Sequence, residues 1–173
     1  MTHDGVPATI VIGVGNDLRR DDGAGPAVIE ALRGRVRATL AVTDGEPARL
    51  IALWAGADRA VVVDAVRADP PRPGRIHDLG VRTAALARRP VTGHALGLGD
   101  AVALGLAVGQ VPVRLRVLAI EGIDFGFGPG LTPHVAEAVT VVADRIAASL
   151  GRDPVRPAGR PSDHLFPKED RSP

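Results

Sequence analysis

Cysteine and tyrosine are absent from this 173-residue chain, and lysine occurs once, at Lys168. Its serines are Ser149, Ser162 and Ser172, and its aromatic residues are Trp54, Phe125, Phe127 and Phe166. Each shortage removes a class of chemistry. Without cysteine there is no disulfide framework, zinc ribbon or thiolate nucleophile. A serine nucleophile needs a positioned base, and no serine precedes Ser149. A P-loop needs Gly-Lys followed by Ser or Thr, and no such triplet occurs. The single lysine, in a proline-rich tail, leaves no place for a Schiff base. Scattered aromatics make no stacking platform for single-stranded nucleic acid. The net charge is +1, too weak for an electrostatic footprint on nucleic acid. No apolar run approaches the ~18 residues of a membrane helix. The start, Met1 to Gly5, lacks a basic stretch followed by an apolar one, so no signal peptide is read and a cytoplasmic protein is expected. Asp, Glu, His, Thr and bound metal are left to carry any catalysis.

What is present reads as one α/β domain. Hydrophobic residues are 45% and charged residues 24%, ordinary for a globular fold. Short branched apolar runs at Ala8–Val14, Thr39–Val42, Ala60–Ala65 and Leu115–Ile120 predict buried strands, and Arg75–Leu79 a weaker one nearer an edge. Helical spacing predicts helices over Pro26–Leu32, Glu46–Ala55 and Ala101–Val108, and from Thr132-Pro133 to Gly151. This alternation predicts a mostly parallel sheet of about five strands covered on both faces. The domain spans 1–151. Residues 152–173 carry five prolines and the surplus positive charge, and are expected to be a disordered or loosely attached tail.

In open α/β sheets, ligands bind beyond the carboxyl ends of the strands. The first strand is followed by a loop containing Gly13, Gly15, Asn16, Asp17, Asp21 and Asp22, and the second by Asp44-Gly45. The third ends at Asp64, the fourth run leads to Thr92-Gly93-His94, and the fifth to Glu121-Gly122-Ile123-Asp124. If the strands are parallel, these groups gather along one edge. Gly13-Val14-Gly15 is not a dinucleotide fingerprint, because Leu18 stands where a third glycine belongs and three aspartates would repel a pyrophosphate. Its glycines read as a tight turn. Asp21-Asp22 opens the first helix, where one acid suffices as an N-cap. Asp64 closes the most apolar strand, and a buried carboxylate there needs a turn, an arginine or a metal. His94 is the histidine nearest these acids in the strand-end scheme. His3 and His164 lie near the ends, His77 in the weak strand, and His134 in the first turn of the last helix. Asp22, Asp64 and His94 together offer two carboxylates and an imidazole, a set suited to nickel or zinc with positions open for substrate.

The run Ile12-Gly13-Val14-Gly15-Asn16 through Arg20-Asp21-Asp22-Gly23-Ala24-Gly25 resembles the N-terminal signature of the hydrogenase maturation proteases. The resemblance continues through Asp44-Gly45, Val63-Asp64-Ala65, Thr92-Gly93-His94 and Thr132-Pro133, and spans roughly 8–150. It implies a three-layer α/β/α sandwich around a twisted sheet. It implies an endopeptidase that removes a C-terminal extension from the large-subunit precursor of a nickel–iron hydrogenase after nickel insertion. It implies that Asp22, Asp64 and His94 recognise the nickel, which arrives with the substrate, and that no organic cofactor is held. The loop residues Gly13, Gly15 and Asn16, with Asp44, would support them. Gly93 and Gly122 depart from the family pattern, which often has a small hydroxyl residue and a proline there. Two other readings of the same residues are a self-contained metal-dependent hydrolase of small molecules and a non-enzymatic chaperone that binds nickel or the large subunit.

Overall fold

The structure, a computed structural model, describes residues 8–82 and 96–151. Period-two apolar patterning splits each central strand between two faces. In β1 (Thr9–Val14), Val11 joins one core while Ile10, Ile12 and Val14 join the other. β3 (Arg59–Val66) divides in the same way, with Val61 and Val63 against Ala60 and Val62. β5 (Arg114–Glu121) sends Leu118 and Ile120 to the first core and Leu115 to the second. Both faces must therefore be covered, and among the described residues two helices cover each. α1 (Ala24–Leu32) and α4 (Pro133–Gly151) lay Val28, Ile29, Leu32, Val142 and Ile146 on the first face. α2 (Pro47–Trp54) and α3 (Leu96–Ala107) lay Leu50, Trp54, Leu98 and Val102 on the second. Each large buried side chain contributes about 1.5–3 kcal/mol. Trp54 is buried whole because its indole N–H finds the Gln110 carbonyl at 2.9 Å.

The sheet order is β2-β1-β3-β5-β4, with β2 (Thr39–Thr43) and β4 (Ile76–Arg82) at the edges. β1, β2, β3 and β5 are parallel. The three-layer, mostly parallel arrangement agrees with the expectation from the sequence. The chain leaves β1 toward β2 on one side and leaves β3 toward the other strands on the opposite side. The crevice between the ends of β1 and β3 is therefore the topological switch point, where such sheets bind ligands.

β4 corrects one premise. It is antiparallel to β5, with Ile76 opposite Ile120 and Arg82 opposite Arg114. Its last residue thus lies at the amino edge of the sheet, away from the ends of β1 and β3. The strand-end rule does not bring Thr92, Gly93 or His94 to the site, and all three lie outside the described residues. α3 packs beside α2. Its last turn reaches Gln110, whose amide bonds the Gly105 carbonyl and whose own carbonyl takes the Trp54 proton. The two helices therefore end together near the amino edge, and Leu96 starts α3 at the other end of the pair. The predicted tail is likewise outside the described residues.

Candidate functional site

The loop after β1 folds back so that Asp22 faces the end of β3. Gly15 turns the chain at φ +131°, a conformation that side chains rarely adopt, and a Cβ there would overlap the Asp22 carbonyl oxygen. Asn16 follows, its amide donating to Asp22 Oδ2 at 3.0 Å while its own Oδ1 accepts from the Leu18 amide at 2.9 Å. A 3₁₀ turn, Arg20–Gly23, then carries Asp21 and Asp22. Gly13 and Gly25 let α1 press onto the strands, since a Cβ on Gly25 would meet the Val14 backbone and the Val63 carbonyl. Asp22 is thereby held over the end of β3, next to Asp64.

Asp64 senses both its burial and the neighbouring Asp22. Burial pushes the Asp64 carboxyl up from 3.8 to about 6, the Ala65 amide offsets part of that, and the Asp22 charge raises it further. No arginine or lysine pairs with Asp64 among the described residues. Two carboxylates at one crevice, neither neutralised by a basic side chain, favour a cation or a shared proton. Among the described residues no three carboxylate or imidazole groups converge as a metal site. Asp22 and Asp64 are brought together, and His94 is outside what is described.

Asp44, beyond β2, is exposed. The Glu46 amide, the Thr43 hydroxyl and Arg49 hold its carboxyl below the usual range despite some desolvation. Its Oδ1 accepts from Thr43 Oγ1 at 3.3 Å, and Arg49 lies 3.9 Å away. A groove of about 570 Å³ runs from the Gly15–Asp17 loop past Asp44 and Val42 to Glu30 on α1 and Arg33 just beyond it. Asp17 and Asp44 line this groove; Asp22 and Asp64 do not.

Asp21 is not an N-cap, contrary to expectation. Neither the 3₁₀ turn nor α1 is capped by a side chain; α1 starts after Gly23. Asp21 is instead completely buried. Its Oδ2 accepts from the amides of Ile123 (2.9 Å) and Asp124 (3.0 Å) and from the Thr132 hydroxyl (3.0 Å), and its Oδ1 from the Thr132 amide (2.7 Å). Burial opposes its charge, but these four donors prevail and hold the carboxyl below its ordinary value. Gly122 fits against it, since a Cβ there would lie 2.9 Å from the Asp21 Cβ. The Gly122 amide also donates to the Val66 carbonyl, which a proline could not do.

Glu121 is a second buried acid, at the end of β5. It accepts from the Arg72 amide at 2.8 Å, and His77 Nε2 lies 2.6 Å away. Burial disfavours its charge, yet His77, the Arg72 amide and Arg75 keep its carboxyl lowered. The pattern that singled out Asp64, an acid closing an apolar strand, also fits Glu121. His77 is its partner through the antiparallel pairing of β4.

A domain with this topology and paired carboxylates at the switch point has known relatives. A family model described as hydrogenase maturation protease matches residues 26–149, and the chain belongs to that family. Hydrogenase 2 maturation protease of Escherichia coli (strain K12) is 27% identical over 160 residues, covering 90% of this chain and 98% of the relative. The solved hydrogenase maturating endopeptidase HybD from E. coli superposes with a TM-score of 0.67 at 25% identity, over 83% of this chain and 92% of that one. The [NiFe] hydrogenase maturation protease HybD from Thermococcus kodakarensis shares the fold, with a TM-score of 0.65 at 21% identity over 83% and 99%. The helices of the described residues include none long and apolar enough to cross a membrane.

Proposed function

We propose that this chain is the endopeptidase that removes a C-terminal extension from a nickel–iron hydrogenase large-subunit precursor once nickel is in place. Family membership supports the reaction class. The observation that carries the site assignment is the Asp22–Asp64 pair, in which burial and a neighbouring charge lift Asp64 to about 6. A substrate-borne nickel ion relieves that repulsion, so the loaded precursor is favoured over the empty one. His94 is the third group assigned to the nickel, completing a set of two oxygens and one nitrogen. The groove past Asp44 then receives the extension.

The nucleophile in this reading is water, since the chain has no cysteine and its serines begin at Ser149. Asp22 or Asp64 acts as base, through a carboxylate oxygen not engaged by the nickel. The proton then passes to the leaving amine. Asp22, held by the Asn16 amide, orients the metal-bearing end of the substrate. The test is to mix the protein with nickel-loaded and nickel-free precursor and weigh the products by mass spectrometry. Loss of a C-terminal peptide from the loaded form alone is expected. An intact loaded precursor would overturn the proposal.

A further inference from the structure

The geometry points to a docking surface for the folded body of the substrate protein, formed by Leu18, Ile123 and Phe127 with the guanidinium groups of Arg19 and Arg67. The identity of that substrate rests on the function proposed above.

Phe127 is 88% exposed, Leu18 63% and Ile123 52%. Single exposed apolar side chains are ordinary, but these three share one tied structure. The Gly128 amide donates to the Leu18 carbonyl at 2.9 Å, and the Arg20 amide to the Gly128 carbonyl at 3.0 Å. Arg19 and Gly128 form a parallel bridge. Asp21 grips the Ile123 and Asp124 amides from below. Arg20 is held at φ +49°, with its side chain 3.3 Å from Asp124, a conformation that persists only where the surroundings impose it. The apolar side chains are therefore presented outward on a fixed backbone, an arrangement that spares a partner the entropy cost of ordering it.

The charges beside them are also poised. The Arg19 guanidinium lies 5.8 Å from the Phe127 ring centre and that of Arg67 4.3 Å from Phe125. Arg20 has its carboxylate in Asp124; Arg19 and Arg67 have none within ion-pair distance among the described residues. Arginine and phenylalanine are enriched at the centres of interfaces. The complementary surface is apolar with carboxylates at its border.

The occupant is a folded protein rather than the extension alone. Leu18, Ile123 and Phe127 do not line the groove, yet they stand on the segments that frame Asp22. Leu18 stands between Asp17 and Arg20, and Phe127 just before Gly130 and Leu131, all four of the groove wall, so the patch borders the groove and a large substrate entering it meets both.

The test compares the full chain with its Leu18→Ala/Phe127→Ala and Arg19→Glu variants, using Leu104→Ala on α3 as an exposed control. Affinity for the nickel-loaded precursor is read by biolayer interferometry in an Asp64→Asn background, and processing kinetics by intact mass. The double variant and Arg19→Glu should each bind roughly tenfold or more weakly. KM should rise with kcat unchanged, and Leu104→Ala should match wild type. Unchanged affinity and KM in both variants overturn the docking surface and leave the protease reading standing. A precursor bound through Phe127 but never shortened by the wild-type chain supports the surface and sinks the protease reading. If the double variant instead converts a dimer to a monomer in sedimentation while precursor binding holds, the surface belongs to self-association and the proposal is overturned.

Discussion

The carboxylate of Asp21 and the amide of Thr132 meet at 2.7 Å across 111 positions of sequence. That bond, with three others to the same carboxylate, ties the turn bearing Asp22 to the start of α4. Asp22 owes its place to its neighbour.

Replacing that neighbour should be costly. Asp21→Asn presents an N–H group to surrounding donors and should destabilise the protein by about 2–4 kcal/mol at pH 7, read by urea unfolding. Because the folded carboxyl is lowered, its contribution is complete above the unfolded value of 3.8 and fades as pH falls through the lower folded value. The gap between wild type and variant should narrow only in that acid range.

Asp64 should behave oppositely. Its folded value of about 6 exceeds 3.8, so the folded state holds the extra proton between those values. Stability from this group therefore falls as pH rises from 3.8 to 6 and stays low above. Asp64→Asn should stabilise the fold by on the order of 1–2 kcal/mol at pH 7, with no gain below 3.8, by thermal melts across pH. The same variant should fail to shorten the loaded precursor. Processing at the wild-type rate would remove Asp64 from the site.

Gly15→Ala tests the turn. The new methyl meets the Asp22 carbonyl in a backbone conformation alanine disfavours. We expect a loss of at least about 1–3 kcal/mol in unfolding free energy and precursor processing reduced more than binding, since Asp22 shifts while the exposed loops remain.

His77→Ala removes the side-chain partner of a buried acid. Glu121 retains the Arg72 amide, so the expected cost is about 1–2 kcal/mol. Pairing it with Glu121→Gln in a double-mutant cycle should give a coupling well above zero. An additive result would mean that the 2.6 Å contact contributes nothing.

Much of the fold is legible along the chain. Ala8–Val14 and Ala60–Ala65 read as strands and are found at Thr9–Val14 and Arg59–Val66, because unbroken branched apolar runs suit strands buried on both faces. The Thr132-Pro133 start and the Gly151 end bracket α4 as expected. α3 is less well read: it spans Leu96–Ala107, not Ala101–Val108, because its glycines hide the helical period. The direction of β4 was not legible, since periodicity is the same for parallel and antiparallel strands.

The sequence by itself determined the chemistry available: no thiol, no early serine, one lysine, and acids at the ends of apolar strands. It also placed Asp64 at such an end and Asp22 in a glycine-bounded loop. Only the tertiary structure decided how neighbouring acids divide their work. Asp21 and Asp22 look alike along the chain, but one is sealed among four donors and the other faces Asp64. Those donors come from Ile123, Asp124 and Thr132, about a hundred residues on. Local pattern reports which side chains can bear charge, while the free energy of keeping that charge depends on partners that only folding assembles.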